Sequence, residues 1–310
     1  MTQEPLARKS RFGCAGLVAL AFIAVIIAAI GFQLATTIER GMRTEVIGDF
    51  GAAGPIHLTP DGHILLARAG ASGGSPDGRI EAFDPATRTR ATVLDGLVDP
   101  IAADMAPDGT VCAIGRSMRV GTPAPLRCSS GLTMDFVAGS PPELDGDGPH
   151  PADILSDGST GWFITDPEQG AVLHVDRSGS ISVVAMAPEG ASLPARPIGL
   201  ARDGETLYVA IGQLGYTGLT VDARNAVIAG GTWVGGGTTI AVIARLRLAL
   251  ALITDDGAAR VTYSVMADAE RPNLVEGLVQ PRGMVLLLDG RIAVADGSRL
   301  VIVRPARPLP

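Results

Sequence analysis

The sequence predicts an all-β fold, a six-bladed β-propeller, preceded by one N-terminal transmembrane helix. Two observations predict it: a degenerate repeat that recurs along the chain, and a single apolar run near the N-terminus. The 40 glycines and 22 prolines are spread over the whole sequence rather than gathered in one tract. Frequent short turns between short strands produce such a distribution, whereas a helical bundle does not.

The apolar run extends from Phe12 to about Ala35 and contains no charged residue. At 1.5 Å per residue, a helix of this length crosses a hydrocarbon core of about 30 Å. Arg8, Lys9 and Arg11 precede the run and its far flank is mixed in sign, so the positive-inside rule predicts that the rest of the chain is exported. A cleaved signal peptide is the alternative, but its apolar core is usually only about 7–15 residues long.

These features divide the chain into four expected segments. We expect a cytoplasmic N-terminus over residues 1–11, a transmembrane anchor over 12–37, a linker over 38–43 and a six-bladed propeller over 44–310. The predicted location is the cell membrane, crossed once, with the propeller on the extracytoplasmic side.

The repeat consists of a proline, several apolar residues, Asp-Gly and a β-rich run. Five copies begin at Pro55, Pro100, Pro151, Pro197 and Pro281. The intervals are 45, 51, 46 and 84 residues, and because the last is twice 42 it holds a sixth, degenerate copy around residues 231–268. Six units of this length match four-stranded propeller blades. Each Asp-Gly lies where a tight hairpin between the first two strands of a blade needs φ > 0.

The degenerate copy contains a second apolar stretch, residues 238–254. It is interrupted by Arg245 and Arg247, and each arginine costs about 2.5–3.5 kcal/mol at the centre of a membrane helix. The run Arg245–Leu248 also alternates with period two, which predicts a β-strand rather than a second membrane span.

The first and last segments of the predicted propeller are expected to pair. The run Thr44–Phe50 is similar to the predicted outer strand Thr92–Leu97 but precedes the first repeat. After the last repeat only Arg299–Val303 remains, which leaves that blade one strand short. The N-terminal strand should complete it and cover sheet edges that could otherwise pair with other chains.

Cys112 and Cys128 are the only cysteines in the part predicted to be exported, while Cys14 lies in the predicted anchor. In an oxidising compartment the pair is a candidate disulfide that closes a separation of 16 residues. Such a bond would contribute about 3 kcal/mol by restricting the unfolded chain. Two free buried thiols are the alternative.

The repeat pattern, Pro-x-(Gly)-apolar and then Asp-Gly-x-(Leu/Ile)-(Tyr/Leu)-(Val/Leu)-Ala, resembles NHL-type repeats. Related propellers are the gluconolactonase-like proteins, streptogramin lyase and the propellers of scytonemin gene clusters. The third copy, with Gly148-Pro-His-Pro151 and Trp162-Phe-Ile-Thr-Asp166, is the most similar to a streptogramin-lyase blade. The resemblance covers about residues 44–304 and implies a six-bladed scaffold, but such scaffold motifs specify function poorly.

The resemblance to lactonases implies a divalent metal held in the central channel by a Glu, two Asn and an Asp. The corresponding positions of the third and fourth copies are Ala152 and Ile198, so both amide ligands are missing. Asp153 alone cannot hold a hard cation that takes six or more oxygens. The loop Glu143–Gly148 is similar to a calcium turn but lacks the bidentate Glu of a complete site. Calcium is therefore a weak candidate, and we expect no cofactor.

The titratable candidates are few, because the chain has only four histidines. The resemblance to streptogramin lyase implies histidine and glutamate from later blades, but no histidine follows His174. His57 and His150 lie near the start of an innermost strand, where histidine can act as a base or a metal ligand, or can simply bond to loop backbone. The candidate catalytic residues are His150, Asp153 and Asp104.

The composition excludes nucleic acid as a partner, and the residues at the predicted channel mouth favour a binding role. A net charge of -7 with a single lysine does not provide the basic surface that nucleic acid requires. The innermost strands begin mainly with apolar residues, namely Ile56, Ile101, Ala152 and Ile198, with Arg282 as the exception. This set favours a membrane-anchored binding or scaffold module for a protein partner or a small ligand. The alternative is a lactonase- or lyase-like hydrolase with its site at the channel mouth.

Overall fold

The computed structural model describes residues 43–71, 74–115, 125–135, 150–159, 161–186, 196–203, 206–212, 215–221, 227–230, 238–245, 248–255, 258–264 and 275–304. The predicted cytoplasmic N-terminus and anchor, the linker before Arg43, and the acidic loop 143–148 lie outside these ranges. No helix among the described residues is long and apolar enough to cross a membrane.

The regular structure in the described ranges is all β, in six antiparallel sheets of four strands. Sheet 1 contains β2 (Ile56–Leu58), β3 (Ile64–Arg68), β4 (Gly78–Phe83) and β5 (Arg90–Leu97). Sheet 2 contains β6 (Pro100–Met105), β7 (Val111–Gly115), β8 (Pro125–Cys128) and β9 (Thr133–Asp135). Sheet 3 contains β10 (Asp153–Ser156), β11 (Gly161–Asp166), β12 (Ala171–Asp176) and β13 (Ile181–Met186).

The second half of the chain repeats this arrangement. Sheet 4 contains β14 (Arg196–Asp203), β15 (Thr206–Gly212), β16 (Gly215–Val221) and β17 (Val227–Gly230). Sheet 5 contains β18 (Thr238–Arg245), β19 (Leu248–Asp255), β20 (Ala258–Ser264) and β21 (Val275–Leu278). Sheet 6 contains β22 (Pro281–Leu286), β23 (Ile292–Asp296), β24 (Arg299–Arg304) and β1 (Arg43–Ile47). The predicted all-β repeat is confirmed.

The Asp-Gly pairs turn the chain between the first and second strands of a sheet. The glycines Gly62, Gly109, Gly158 and Gly290 have φ of 89°, 85°, 78° and 80°. In sheet 1 the Gly62 N–H donates to the Thr59 carbonyl at 2.9 Å, which closes the turn. Glycine adopts this left-handed backbone without the steric cost that a Cβ imposes, which explains why the repeat carries glycine here.

The apolar stretch 238–254 forms two strands rather than the single strand predicted across Arg245–Leu248. β18 ends at Arg245, β19 begins at Leu248, and these two residues are cross-strand partners. The alternating run therefore spans the connection of a hairpin. The pairing of β18 with β19 satisfies the main-chain donors and acceptors of both strands. The alternation within Arg245–Leu248 did not predict this pairing.

The N-terminal strand completes the last sheet, as the sequence predicted. β1 lies beside β24 at the edge of sheet 6. The innermost strands also contact one another in cyclic order, β2, β6, β10, β14, β18, β22 and again β2. Among the described residues, apolar clusters fill the spaces between sheets 6 and 1, 1 and 2, 2 and 3, and 3 and 4. Trp162, the largest of the fully buried side chains, packs between sheets 2 and 3, and Phe50 and Phe83 pack between sheets 6 and 1. Burial of these faces is the main stabilising contribution to the arrangement.

Cys112 and Cys128 are directly opposite each other on β7 and β8, with their Cα atoms 4.0 Å apart, and their sulfur atoms are bonded. Both cysteines are buried in the cluster between sheets 2 and 3. A disulfide that closes a loop of this length contributes about 3 kcal/mol to stability. Bonds of this kind persist in oxidising compartments.

Candidate functional site

A cavity of about 510 Å³ opens where the innermost strands begin. Its walls come from the residues just before β2 and β10, from the first residues of β6, β14 and β22, and from the two residues that follow β11. Four of the five leading positions noted in the sequence line it: Ile101, Ala152, Ile198 and Arg282. The cavity thus lies at the predicted channel mouth.

The walls are mostly apolar side chains and prolines, and among the described residues only three titratable side chains line the cavity: His150, Glu168 and Arg282. The Nε2 atom of His150 lies 3.5 Å from Oε2 of Glu168. The His150 side chain is 27% exposed and that of Glu168 is 67% exposed, so the pair is open to solvent from the cavity side. A histidine beside a carboxylate in an open cleft has the composition of a general acid–base pair.

Asp166, the last residue of β11, holds both members of this pair in place. Its Oδ2 accepts a hydrogen bond from the His150 N–H at 2.9 Å, and its Oδ1 accepts from the main-chain N–H groups of Glu168 and Gln169 at 3.0 Å each. Burial raises the pKa of Asp166, and these main-chain donors partly offset that effect. One buried carboxylate therefore fixes two separate segments of the cavity wall.

Arg282, the second residue of β22 in sheet 6, also lines the cavity. Asp296, the last residue of the neighbouring strand β23, accepts hydrogen bonds from the N–H groups of Val279 and Gln280. It thereby fixes the segment just before β22, as Asp166 fixes the segments at His150 and Glu168. The Nε of Arg282 is buried, and none of the described residues accepts a hydrogen bond from it. This buried nitrogen is therefore unsatisfied within the described part of the chain.

A second ionic cluster lies further along the same innermost strands. Nε2 of His57 on β2 contacts Oδ1 of Asp153 on β10 at 2.7 Å, and both side chains are buried. Asp153 Oδ2 also accepts from the N–H of Leu200 at 2.8 Å, and Asp104 accepts from the N–H of Ser156 at 2.6 Å. Each aspartate thus ties its strand to the innermost strand of the next sheet, and His57 joins two sheets that are not neighbours.

The charges of this cluster depend on one another. Burial on its own would lower the pKa of His57, but the charge and hydrogen bond of Asp153, with a smaller contribution from Asp104, raise it to about 9. Burial raises the pKa of Asp104, partly opposed by the charge of His57. His57 is therefore a buried cation near neutral pH, held by carboxylates rather than available to a ligand.

The three catalytic candidates predicted from the sequence are not placed together. Asp153 and Asp104 are buried with His57, and they do not line the cavity that His150 lines. Glu168 was not identified as a candidate from the sequence. The one feature that could have indicated it is its position two residues after Asp166, which ends β11.

The remaining histidines have local partners. His63 lies in the first Asp-Gly turn with its Nδ1 2.8 Å from Asp61, and the pair is exposed. His174 contacts Asp157 at 2.9 Å, beyond the far end of β10 from the cavity. Within the described part of the chain, no group of three or more His, Cys, Asp or Glu side chains is placed to hold a metal ion.

The fold is shared with solved propeller structures. No protein-family model matches the sequence, and a search of curated proteins gives no match. A gluconolactonase from Xanthomonas campestris is 14% identical with a TM-score of 0.59, over 87% of this chain and 90% of that one. A streptogramin B lyase is 10% identical with a TM-score of 0.53, over 85% of this chain and 97% of that one.

A third similar structure is not described as an enzyme. It is an auxiliary nutrient binding protein from Bacteroides thetaiotaomicron, 10% identical with a TM-score of 0.55, over 85% of this chain and 76% of that one. At these identities the likeness establishes the fold. The chain is thus a β-propeller of the kind found in gluconolactonases and streptogramin lyases, as its repeats indicated.

Proposed function

We propose that this protein is a lactonase- or lyase-like enzyme whose site is the cavity at the mouth of a six-bladed propeller. The observation that carries the proposal is the His150–Glu168 pair on the cavity wall, 3.5 Å apart and open to solvent. Two of the proteins that share the fold, a gluconolactonase and a streptogramin B lyase, are enzymes, which supports placing this reading ahead of the binding or scaffold role favoured by the sequence.

The pair suits cleavage of the C–O bond of an ester or lactone. In hydrolysis, His150 takes a proton from water as its oxygen attacks the carbonyl carbon, and returns that proton to the leaving alkoxide oxygen when the C–O bond breaks. In elimination, His150 takes a proton from the carbon next to the one that bears the ester oxygen. The C–H electron pair then forms the C=C bond as the carboxylate leaves. Glu168 orients the imidazole in either case.

The buried cluster is unsuited to this role. Asp104 and Asp153 are 5% and 1% exposed, and their oxygens accept main-chain hydrogen bonds from neighbouring strands. A general base has to reach the proton that it removes, directly or through one water. The cavity pair satisfies that requirement and the buried aspartates do not.

The test is turnover of a panel of γ- and δ-lactones and aryl esters, with and without calcium, magnesium or zinc. In the His150→Gln variant we expect kcat/KM to fall by about 10²–10⁴-fold, because a general base is lost. Glu168→Gln should cost less, about tenfold, because that residue only orients the base. His63→Gln is the matched control: it also removes a His–Asp pair, but outside the cavity, and should leave turnover unchanged.

Two results would contradict the enzymatic proposal: no turnover above background over the whole panel, or full activity in a folded His150→Gln protein. Reaction in ¹⁸O-labelled water separates the two chemistries for any substrate that reacts. Hydrolysis places one labelled oxygen in the product, whereas elimination places none.

Binding without turnover is the second candidate function. It is favoured by the mostly apolar lining of the cavity. Such a protein would saturate with a small ligand, or recover a stoichiometric protein partner from solubilised membranes, while the enzymatic panel stays at background.

We further propose that residues 12–37 anchor the chain in the cell membrane with the propeller outside the cytoplasm. The uninterrupted apolar run and the basic residues before it support this arrangement, and the Cys112–Cys128 bond is compatible with an oxidising compartment. Protease added to intact spheroplasts should degrade the propeller while a cytoplasmic marker stays intact. Full protection of the chain beyond residue 50 would exclude this orientation.

A further inference from the structure

The cavity is lined by a guanidinium with one donor that is unsatisfied within the described part of the chain. Arg282 lines the cavity, its Nε is buried, and none of the described residues accepts a hydrogen bond from that nitrogen. Arg79 and Arg90, by contrast, bond to the buried Glu81 at 2.6 and 3.0 Å. Arg282 as a whole is half-buried, so a ligand in the cavity can contact the rest of the guanidinium rather than the buried Nε.

We propose that the ligand of this cavity carries a carboxylate and that Arg282 binds it. A guanidinium presents parallel N–H donors that match the two oxygens of a carboxylate, so one arginine suffices for one such group. The rest of the lining is mostly apolar and would contact a hydrocarbon portion of the same ligand. The substrate class is thus a small amphiphilic organic acid, or a lactone or ester that bears a free carboxylate.

The charge balance of the cavity favours a monoanion over a phosphate. Among the described lining residues, Arg282 supplies one positive charge and Glu168 one negative charge, while His150 is the remaining titratable group. A phosphate monoester near neutral pH carries close to two negative charges and would find only one fixed cation, with Glu168 repelling it. A carboxylate needs only that one cation.

This inference rests on the proposed function only in taking the cavity as the functional site. Its test measures binding rather than turnover. Calorimetric titration of the purified full-length chain should compare hexanoate, phenylacetate and 6-hydroxyhexanoate with the amide of each acid. We expect the acids to bind at least tenfold more tightly than their amides. That preference should vanish in Arg282→Gln, where the charge and the paired donors are lost.

Two further variants keep the inference testable if Arg282→Gln proves unstable. Arg282→Lys retains the charge but not the parallel donors, so the acids should still bind, several-fold more weakly than to the wild type. Arg177→Gln removes an exposed arginine that pairs with Asp108, and binding should be unchanged. Far-ultraviolet circular dichroism and thermal melting of each variant check that the fold is intact.

The outcomes separate this inference from the enzymatic proposal. Acids that bind through Arg282, with equal affinity in His150→Gln and with no turnover of any lactone, would support the carboxylate site and contradict the enzyme. Turnover of neutral lactones, with acids binding no better than amides, would support the enzyme and overturn the carboxylate site. Equal binding of the acids to wild type and to a folded Arg282→Gln would also overturn it.

Discussion

His57→Ala is expected to lower the free energy of unfolding by about 3–5 kcal/mol, because it removes one partner of a buried ion pair. The imidazole contacts Asp153 at 2.7 Å, and the Asp153 side chain is only 2% exposed. Without His57, that carboxylate keeps its main-chain donors but loses its counter-charge. Asp104, which is also buried, loses the same nearby cation.

Urea denaturation of wild type and variant measures this loss directly. His63→Ala is the control, because its partner Asp61 is 65% exposed and such surface pairs contribute at most about 1 kcal/mol. The double variant His57→Gln/Asp153→Asn removes both charges but keeps polar groups that can bond, so it should be more stable than His57→Ala. A loss below about 1 kcal/mol in His57→Ala would mean that the pair does not hold the innermost strands together.

The stability of the protein is expected to fall as the pH rises from about 6.5 to about 9. The pKa of His57 is raised to about 9 in the folded protein, so the folded state binds the proton more tightly than the unfolded chain does. Its stabilising contribution is complete below the unfolded pKa, near 6.5, and is lost as the pH passes through 9. At about 1.4 kcal/mol for each pH unit between the two values, the loss is on the order of 3 kcal/mol.

Other groups set the acidic side of the profile. The pKa of Asp157 is lowered, because hydrogen bonds from His174 and from nearby main-chain and serine donors outweigh the effect of burial. Its contribution is therefore present above its unfolded pKa, near 3.8, and is lost as the pH falls below that value. Asp104 acts in the opposite sense, since its raised pKa makes the folded state less stable as the pH rises above about 3.8.

Urea midpoints measured from pH 6 to pH 9.5 test the alkaline limb. The slope should disappear in His57→Gln and persist in His63→Gln. An unchanged slope in a folded His57→Gln protein would assign the alkaline loss to another group.

The positions of the buried ionic cluster and of the charged cavity residues suggest that the two have separate roles. His57, Asp104 and Asp153 join the innermost strands of sheets 1 to 4 and do not line the cavity. The buried cluster stabilises the scaffold, and the cavity residues remain free to meet a ligand. Substitutions in the first should therefore change stability, and substitutions in the second should change binding or turnover.

Local sequence was sufficient to predict the Asp-Gly turns and the strands that they connect. Asp61-Gly62 and the equivalent pairs determine hairpins because a positive φ is a property of one residue and its neighbours. The Cys112–Cys128 partnership needed only a hairpin between β7 and β8. The pairing of β1 with sheet 6 followed from counting the strands, since the last repeat was one strand short.

The site was predictable only in part. Four of the five leading positions of the innermost strands line the cavity, and so does His150. The sequence grouped His150 with Asp153 because they are close in the chain. Yet His150 precedes β10 and lines the cavity, whereas Asp153 is the first residue of β10 and is buried beside His57.

What the sequence by itself determined is the repeated four-stranded unit, because turn conformation, strand alternation and the number of units are all encoded within short segments. Only the tertiary structure decided the charge partners. His57 meets Asp153 from 96 residues away, and Arg282 has no described partner for its buried Nε. Both facts depend on the relative positions of the innermost strands. Those positions follow from how neighbouring sheets pack, so no single repeat encodes them.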